Sequence, residues 1–286
     1  MTRAALVPTL LLCAAVPAAA QGNGHGNAYG HYNGPVTAPV HGAPSASVSG
    51  TGVRNFGSWL DDATVQDPGN GFVTFGFGFY KTPVFREIDF PSLDSGFGVT
   101  KTLQLGMSLP YAHASVPGAA TSHGLGDVYL NAKYQLRAPS TAHTGLAVIP
   151  MLEVLSVAPP AGGSRLQWAL PVSLERQFDH WRAMGTGGYF SRGAVFGAGA
   201  IEAELSNRAW LTGSLGWSYS TRHDDLSTAL GYHRGRVDAG GGVTYAVGSR
   251  MAVYGSVGRT LSAHDANSAS FIFTTGVSFG LEHPIH

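Results

Sequence analysis

Charge is what this chain has least of. Only 12% of its 286 residues are Asp, Glu, Lys or Arg, about half the share of an ordinary soluble domain. The two signs cancel, 17 against 17, so the whole chain carries no basic footprint for nucleic acid. Cysteine is nearly missing as well. Its single thiol, Cys13, lies in an N-terminal apolar stretch, which leaves the remainder without a disulfide framework, a cysteine nucleophile or a thiolate metal site. Leu12 stands where a lipoprotein acceptor wants a small residue, which argues against lipidation of Cys13. Past Gln21 no run of 18 apolar residues occurs, so helical membrane spans are excluded by length.

Apolar matter is plentiful. Hydrophobic residues make up 44% of the chain, far more than a disordered sequence carries, and its 40 glycines are about twice the usual share. A soluble sandwich would need Lys, Glu, Asp and Arg across its outer face. This composition does not supply them.

The N-terminus reads as an export signal over residues 1–20: Arg3 as the positive start, an apolar core from Leu6 to Val16, and Ala18-Ala19-Ala20 as the cleavage site. Residues 21–68 are rich in Gly, His, Asn, Pro and Ser and read as a flexible leader. His25, His31 and His41 in it lack the spacing of a metal site. Residues 282–286 read as a short tail.

Between them, over 69–281, apolar and small or polar residues alternate with period two, the mark of strands with unlike faces. Leu211, Leu215, Trp217 and Tyr219 oppose Thr212, Ser214, Gly216 and Ser218; Val128, Leu130, Tyr134 and Leu136 oppose Asp127, Tyr129, Asn131, Lys133 and Gln135. About twelve such strands are predicted, joined alternately by short and longer connections. In lipid every backbone group must find a partner, and a closed sheet provides it. The pattern therefore predicts an all-β, closed antiparallel transmembrane barrel with both termini periplasmic. Glycines such as Gly76, Gly185, Gly187, Gly197 and Gly199 are expected where a narrow lumen or sharp curvature leaves little room for side chains. Tyr80, Tyr111, Trp168, Trp181, Tyr189, Trp210, Trp217 and Tyr254 are expected in the interfacial girdles.

Two runs, KTLQLGMSLPY at 101–111 and GLGDVYLNAKY at 124–134, resemble the signature of the outer-membrane barrel family associated with meta-pathway phenol degradation. The resemblance implies a transporter through which small aromatic or hydrophobic compounds cross the outer membrane of a Gram-negative-type bacterium. It also implies lipid and the barrel-assembly machinery as partners. Members of that family often end on the aromatic residue this machinery prefers, whereas here Gly280 to His286 follow Phe279.

Face assignment sends Glu87, Asp89, Gln104, Asp127, Asn131, Lys133, Gln135, Glu153, Gln167, Glu175, Glu202, Glu204 and Asp238 into the lumen. An acidic lining would favour cations; alternatively these groups pair with one another and fill a narrow barrel. No cofactor, metal or catalytic group is expected. A barrel lipid hydrolase would need a nucleophile beside a base, but no G-x-S-x-G elbow occurs and most of the histidines fall in or beside connections. A purely anchoring barrel is the remaining alternative to a channel.

Overall fold

The computed structural model describes residues 60–83, 86–115, 121–155, 164–191, 193–221, 233–262, 265 and 268–281. The expected signal peptide, most of the leader and the tail lie outside them. The wall consists of twelve antiparallel strands: β1 (Gly71–Lys81), β2 (Arg86–Thr100), β3 (Leu103–Ser115), β4 (Ser122–Leu125 and Val128–Arg137), β5 (Gly145–Val148 and Met151–Val154) and β6 (Leu166–Gln177). They continue as β7 (Trp181–Phe190), β8 (Ala194–Ser206), β9 (Ala209–Ser220), β10 (Gly235–Ala246), β11 (Met251–Ser262) and β12 (Phe271–Leu281). Each pairs with its neighbours in sequence, and β1 pairs with β12 from Gly71↔Leu281 to Lys81↔Phe271. The sheet is closed, so no edge is left with unpaired backbone groups. No helix occurs among the described residues.

Two strands that the sequence reads as continuous are broken, both where the chain departs from a regular ladder. In β4 the register against β3 slips by one residue, from Tyr111↔Leu125 to Ser108↔Tyr129, opposite Pro110, which has no N–H to give. The Gly126 N–H donates to the Pro110 carbonyl at 2.8 Å and holds the gap closed. In β5 the break falls at Ile149 and Pro150, bridged by Ile149 N–H to the Pro171 carbonyl and Ala132 N–H to the Pro150 carbonyl.

Alternation sorts the side chains as composition demands. Leu170, Ile201, Leu211, Leu215, Trp217, Val243, Val257 and Phe279 are exposed on the outside, while Thr74, Ser173, Thr212, Thr244 and Ser278 are buried within. This is the reverse of a water-soluble barrel. It makes sense only when hydrocarbon is the outer solvent, where exposing a Leu costs nothing and exposing a charge costs several kcal/mol, on the order of 2–4 at mid-depth.

The girdle expectation needs correcting in part. Tyr80 and Trp210 are buried, and Tyr254 packs inward against Phe72 and Ala252. Their even position along the strand overrides their aromatic character. A Cβ on Gly76 would lie 3.1 Å from the Tyr254 hydroxyl, so that glycine does make lumen space. Gly185, Gly187, Gly197 and Gly199 do not. They line an outward groove of about 1410 Å³ together with Ile201, Leu211, Leu215 and Trp217.

Candidate functional site: the barrel lumen

Residues 60–66 run inside the barrel at the end that carries the short turns. This part of the chain falls in the stretch that the sequence reads as leader, yet Leu60, Asp62, Ala63, Val65 and Gln66 are buried. A β-turn sets it there. Asn70 N–H donates to the Asp67 carbonyl at 3.0 Å, with Pro68 and Gly69 between, and Gly69 takes φ 83° as the second central residue of a type II turn requires. The turn folds residues 60–66 back from the start of β1 into the lumen. Gly98 on β2 lets it pass: a Cβ there would sit 2.2 Å from the Asp67 carbonyl oxygen.

Polar groups of the wall grip this segment along its length. Thr186 on β7 donates its hydroxyl to the Asp61 carbonyl at 2.8 Å and accepts Asp61 N–H at 2.9 Å. Glu175 on β6 accepts from Ala63 N–H at 3.2 Å and from the Thr64 hydroxyl at 2.9 Å. Gln135 on β4 donates to the Ala63 carbonyl, and Gln104 on β3 accepts Gln66 N–H at 2.9 Å. Leu60 packs against Met184 and Ala200.

The strongest contacts are ionic. Lys133, 1% exposed, places Nζ 2.7 Å from Asp61 and 2.9 Å from Asp62. Arg182 on β7 reaches Asp62 and Glu175 at 3.5 Å each, and its Nε donates to Glu202 at 2.7 Å. Thr212 donates to the other Glu202 oxygen. Four carboxylates thus share two cations, an arrangement with more negative charge than it neutralises. Burial pushes the Asp61 carboxyl up to about 7 from its ordinary 3.8, with Lys133 pulling it down and Asp62 pushing it further up.

The other half of the lumen, toward the longer connections, carries Glu87, Asp89 and Asp94 on β2, Asp127 before the second segment of β4, and Glu153 on β5, all buried. Tyr129 donates to Glu153 at 2.9 Å. Across from them Arg236 pairs with Asp238 at 3.0 Å, and Thr260 donates to Asp238 at 2.7 Å. Of the residues assigned to the lumen by alternation, Glu87, Asp89, Gln104, Asp127, Lys133, Glu153, Glu175, Glu202 and Asp238 are buried in the barrel. Asn131, Gln135 and Gln167 are half-buried on the same face, and Glu204 stands at the turn end, 4.0 Å from His180.

Five charged residues escape the sequence reading: Asp94, whose parity is opposite to that of Glu87 and Asp89 because the ladder of β2 shifts register between Asp89 and Ser92, together with Arg182, Arg236, Asp61 and Asp62. Arg182 and Arg236 share the parity of Met184 and Asp238, so alternation alone could have found both. Asp61 and Asp62 carry only a weak signal: two acids in a stretch otherwise poor in charge.

Neither a family model nor a curated protein matches the sequence, so the resemblance to phenol-pathway barrels rests on its motif residues alone. Among solved structures, the chain is similar to the NanC porin at a TM-score of 0.56 and 10% identity, over 73% of this chain and 100% of that one. It is similar to the KdgM porin in complex with disordered oligogalacturonate at 0.50 and 10% identity, over 72% and 98%. The CymD monoaromatic hydrocarbon channel aligns at 0.43 and 8%, over 76% and 90%. At such identities the likeness speaks to architecture: this chain has the closed twelve-stranded fold of outer-membrane channels.

Proposed function

We propose that the protein is a passive channel of the outer membrane for small molecules, closed at its short-turn end by residues 60–66. The observation that carries this reading is a polar lumen whose wall holds a segment of its own chain through ion pairs to Lys133 and Arg182. A barrel that served only as an anchor would be filled by packing and would not need buried charges on both the segment and the wall. The short turns and both termini lie on the periplasmic side in this reading, with the longer connections outside.

The solute class follows from the lining. Inward carboxylates on Asp61, Asp62, Glu87, Asp89, Asp94, Asp127, Glu153, Glu175, Glu202 and Asp238 outnumber the cations Lys133, Arg182 and Arg236. The field inside such a wall repels anions and admits neutral or cationic molecules. The motif resemblance favours small aromatic compounds among the neutral ones.

Liposome swelling tests the proposal. The chain lacking residues 21–66 is expected to admit neutral aromatic and cationic solutes faster than aromatic carboxylates, and the full mature chain is expected to admit both slowly. A correctly inserted barrel that remains impermeable after this deletion would refute the channel reading.

A further inference from the structure

Among the described residues, the outer wall carries a cluster of charge that neither the lumen nor the ladder uses. Lys81 ends β1 and Arg86 begins β2, and the two are direct cross-strand partners. On the other side of Lys81 stands Phe271. Arg259 on β11 follows Gly258, whose partner is Ile272, so the register brings Arg259 to the level of Phe271. All four side chains are exposed and lie at the end of the wall that bears the longer connections. Four adjacent strands spaced about 4.8 Å apart place Arg86, Lys81, Phe271 and Arg259 along a row roughly 14 Å wide.

Like charges directly opposite one another destabilise a sheet, so Lys81 beside Arg86 is unfavourable unless an anion lies between them. Among the described residues no carboxylate pairs with Lys81, Arg86 or Arg259. Below the row, toward mid-depth, the same face turns apolar, with Ile88 on β2, Val257 on β11 and phenylalanines on β1 and β12. Phe79 packs on Phe271 and Phe77 on Phe273, with ring centroids 6.2 Å apart in each pair. Cations at the rim above an apolar stripe match a lipid molecule in both its parts: phosphate oxygens on the guanidinium and ammonium groups, acyl chains along the phenylalanines.

We propose that this row binds the headgroup of an anionic lipid bearing more than one phosphate, in the leaflet on the side of the longer connections. The width of the row suits two separated phosphates better than one. The proposal rests on the outer-membrane reading but does not depend on conduction.

Native mass spectrometry of the full mature chain, folded in nonionic detergent and titrated with bis-phosphorylated lipid A, is the test. One lipid is expected to remain bound to the wild type. The triple variant Lys81→Gln/Arg86→Gln/Arg259→Gln is expected to bind at least tenfold more weakly. A control triple at the turn end, Lys101→Gln/Arg137→Gln/Arg208→Gln, should stay within twofold of wild type, and monophosphoryl lipid A should bind more weakly than the bis-phosphorylated form. Equal binding by the rim triple, an equal loss in the control triple, or displacement of the lipid by millimolar inorganic phosphate would overturn the proposal. If the rim triple fails to fold, judged by heat-dependent gel migration, the single variants Arg86→Gln and Arg259→Gln decide the matter: each should lose severalfold, and no loss in either overturns it. A wild type that never enters lipid vesicles would count against the barrel reading, whereas one that enters without preferring lipid A counts against this site alone.

Discussion

Replacing Lys133 with Gln removes the one cation that touches both Asp61 and Asp62. What remains near them is Arg182, 3.5 Å from Asp62 and already committed to Glu202 at 2.7 Å. Leaving a buried charge without its partner costs about 3–5 kcal/mol. At about 1.4 kcal/mol per factor of ten, seating of residues 60–66 should weaken by between about a hundredfold and several thousandfold. The barrel wall loses no backbone hydrogen bond, so the cost falls on the segment. Planar-bilayer recording is the assay: Lys133→Gln should convert a channel that rarely opens into one that is open much of the time. Adding Asp61→Asn and Asp62→Asn should restore closure, because neutral partners left together cost far less than one stranded charge. If Lys133→Gln stayed as silent as wild type while the chain lacking residues 21–66 conducted, the ion pairs would not be what holds the segment.

A Gly98→Val change should open the channel by a different route, since its Cβ would fall 2.2 Å from the Asp67 carbonyl; conductance should rise while heat-dependent gel migration still reports a folded barrel. The pH dependence has a definite sign. Seating raises the Asp61 carboxyl from 3.8 to about 7, so the seated state binds the extra proton between those values and loses stability as pH rises through the window. Open probability should therefore increase from about pH 4 to pH 7, and Asp61→Asn should flatten that slope. On the outer wall, Leu215→Arg at mid-strand should destabilise the barrel by about 2–4 kcal/mol in bilayer unfolding titrations. Reversal potentials measured on the segment-deleted barrel should favour cations, and Asp89→Asn combined with Asp127→Asn should reduce that preference.

The fold was legible because period-two alternation is a property of each strand alone. Leu211 to Tyr219 reveals both faces without any knowledge of its neighbours, and low charge identifies the outer solvent. The breaks at Gly126 and Pro150 were less visible, since they depend on which residue of the adjacent strand lies opposite. Tyr80, Trp210 and Tyr254 misled through their type: an aromatic ring suits an interface, but parity decides which way it points. The segment at 60–66 was hidden for a deeper reason. Its short run has no periodicity to read, and it is ordered by partners such as Lys133, Glu175 and Arg182, more than 70 residues away in sequence. Once the wall is known, Asp61 and Asp62 become intelligible as the acids that match its two cations.

The claim on which everything else stands is that hydrocarbon wets the outside of this sheet and that the polar face is enclosed. Tryptophan fluorescence in vesicles of brominated lipid measures it directly, using variants that retain one Trp each and carry Phe at the others. Trp168 and Trp217, which are 50% and 47% exposed on the outer face, should be strongly quenched, and Trp210, 8% exposed and turned inward, should be largely spared. Equal quenching of all three, or quenching of Trp210 alone, would contradict the account.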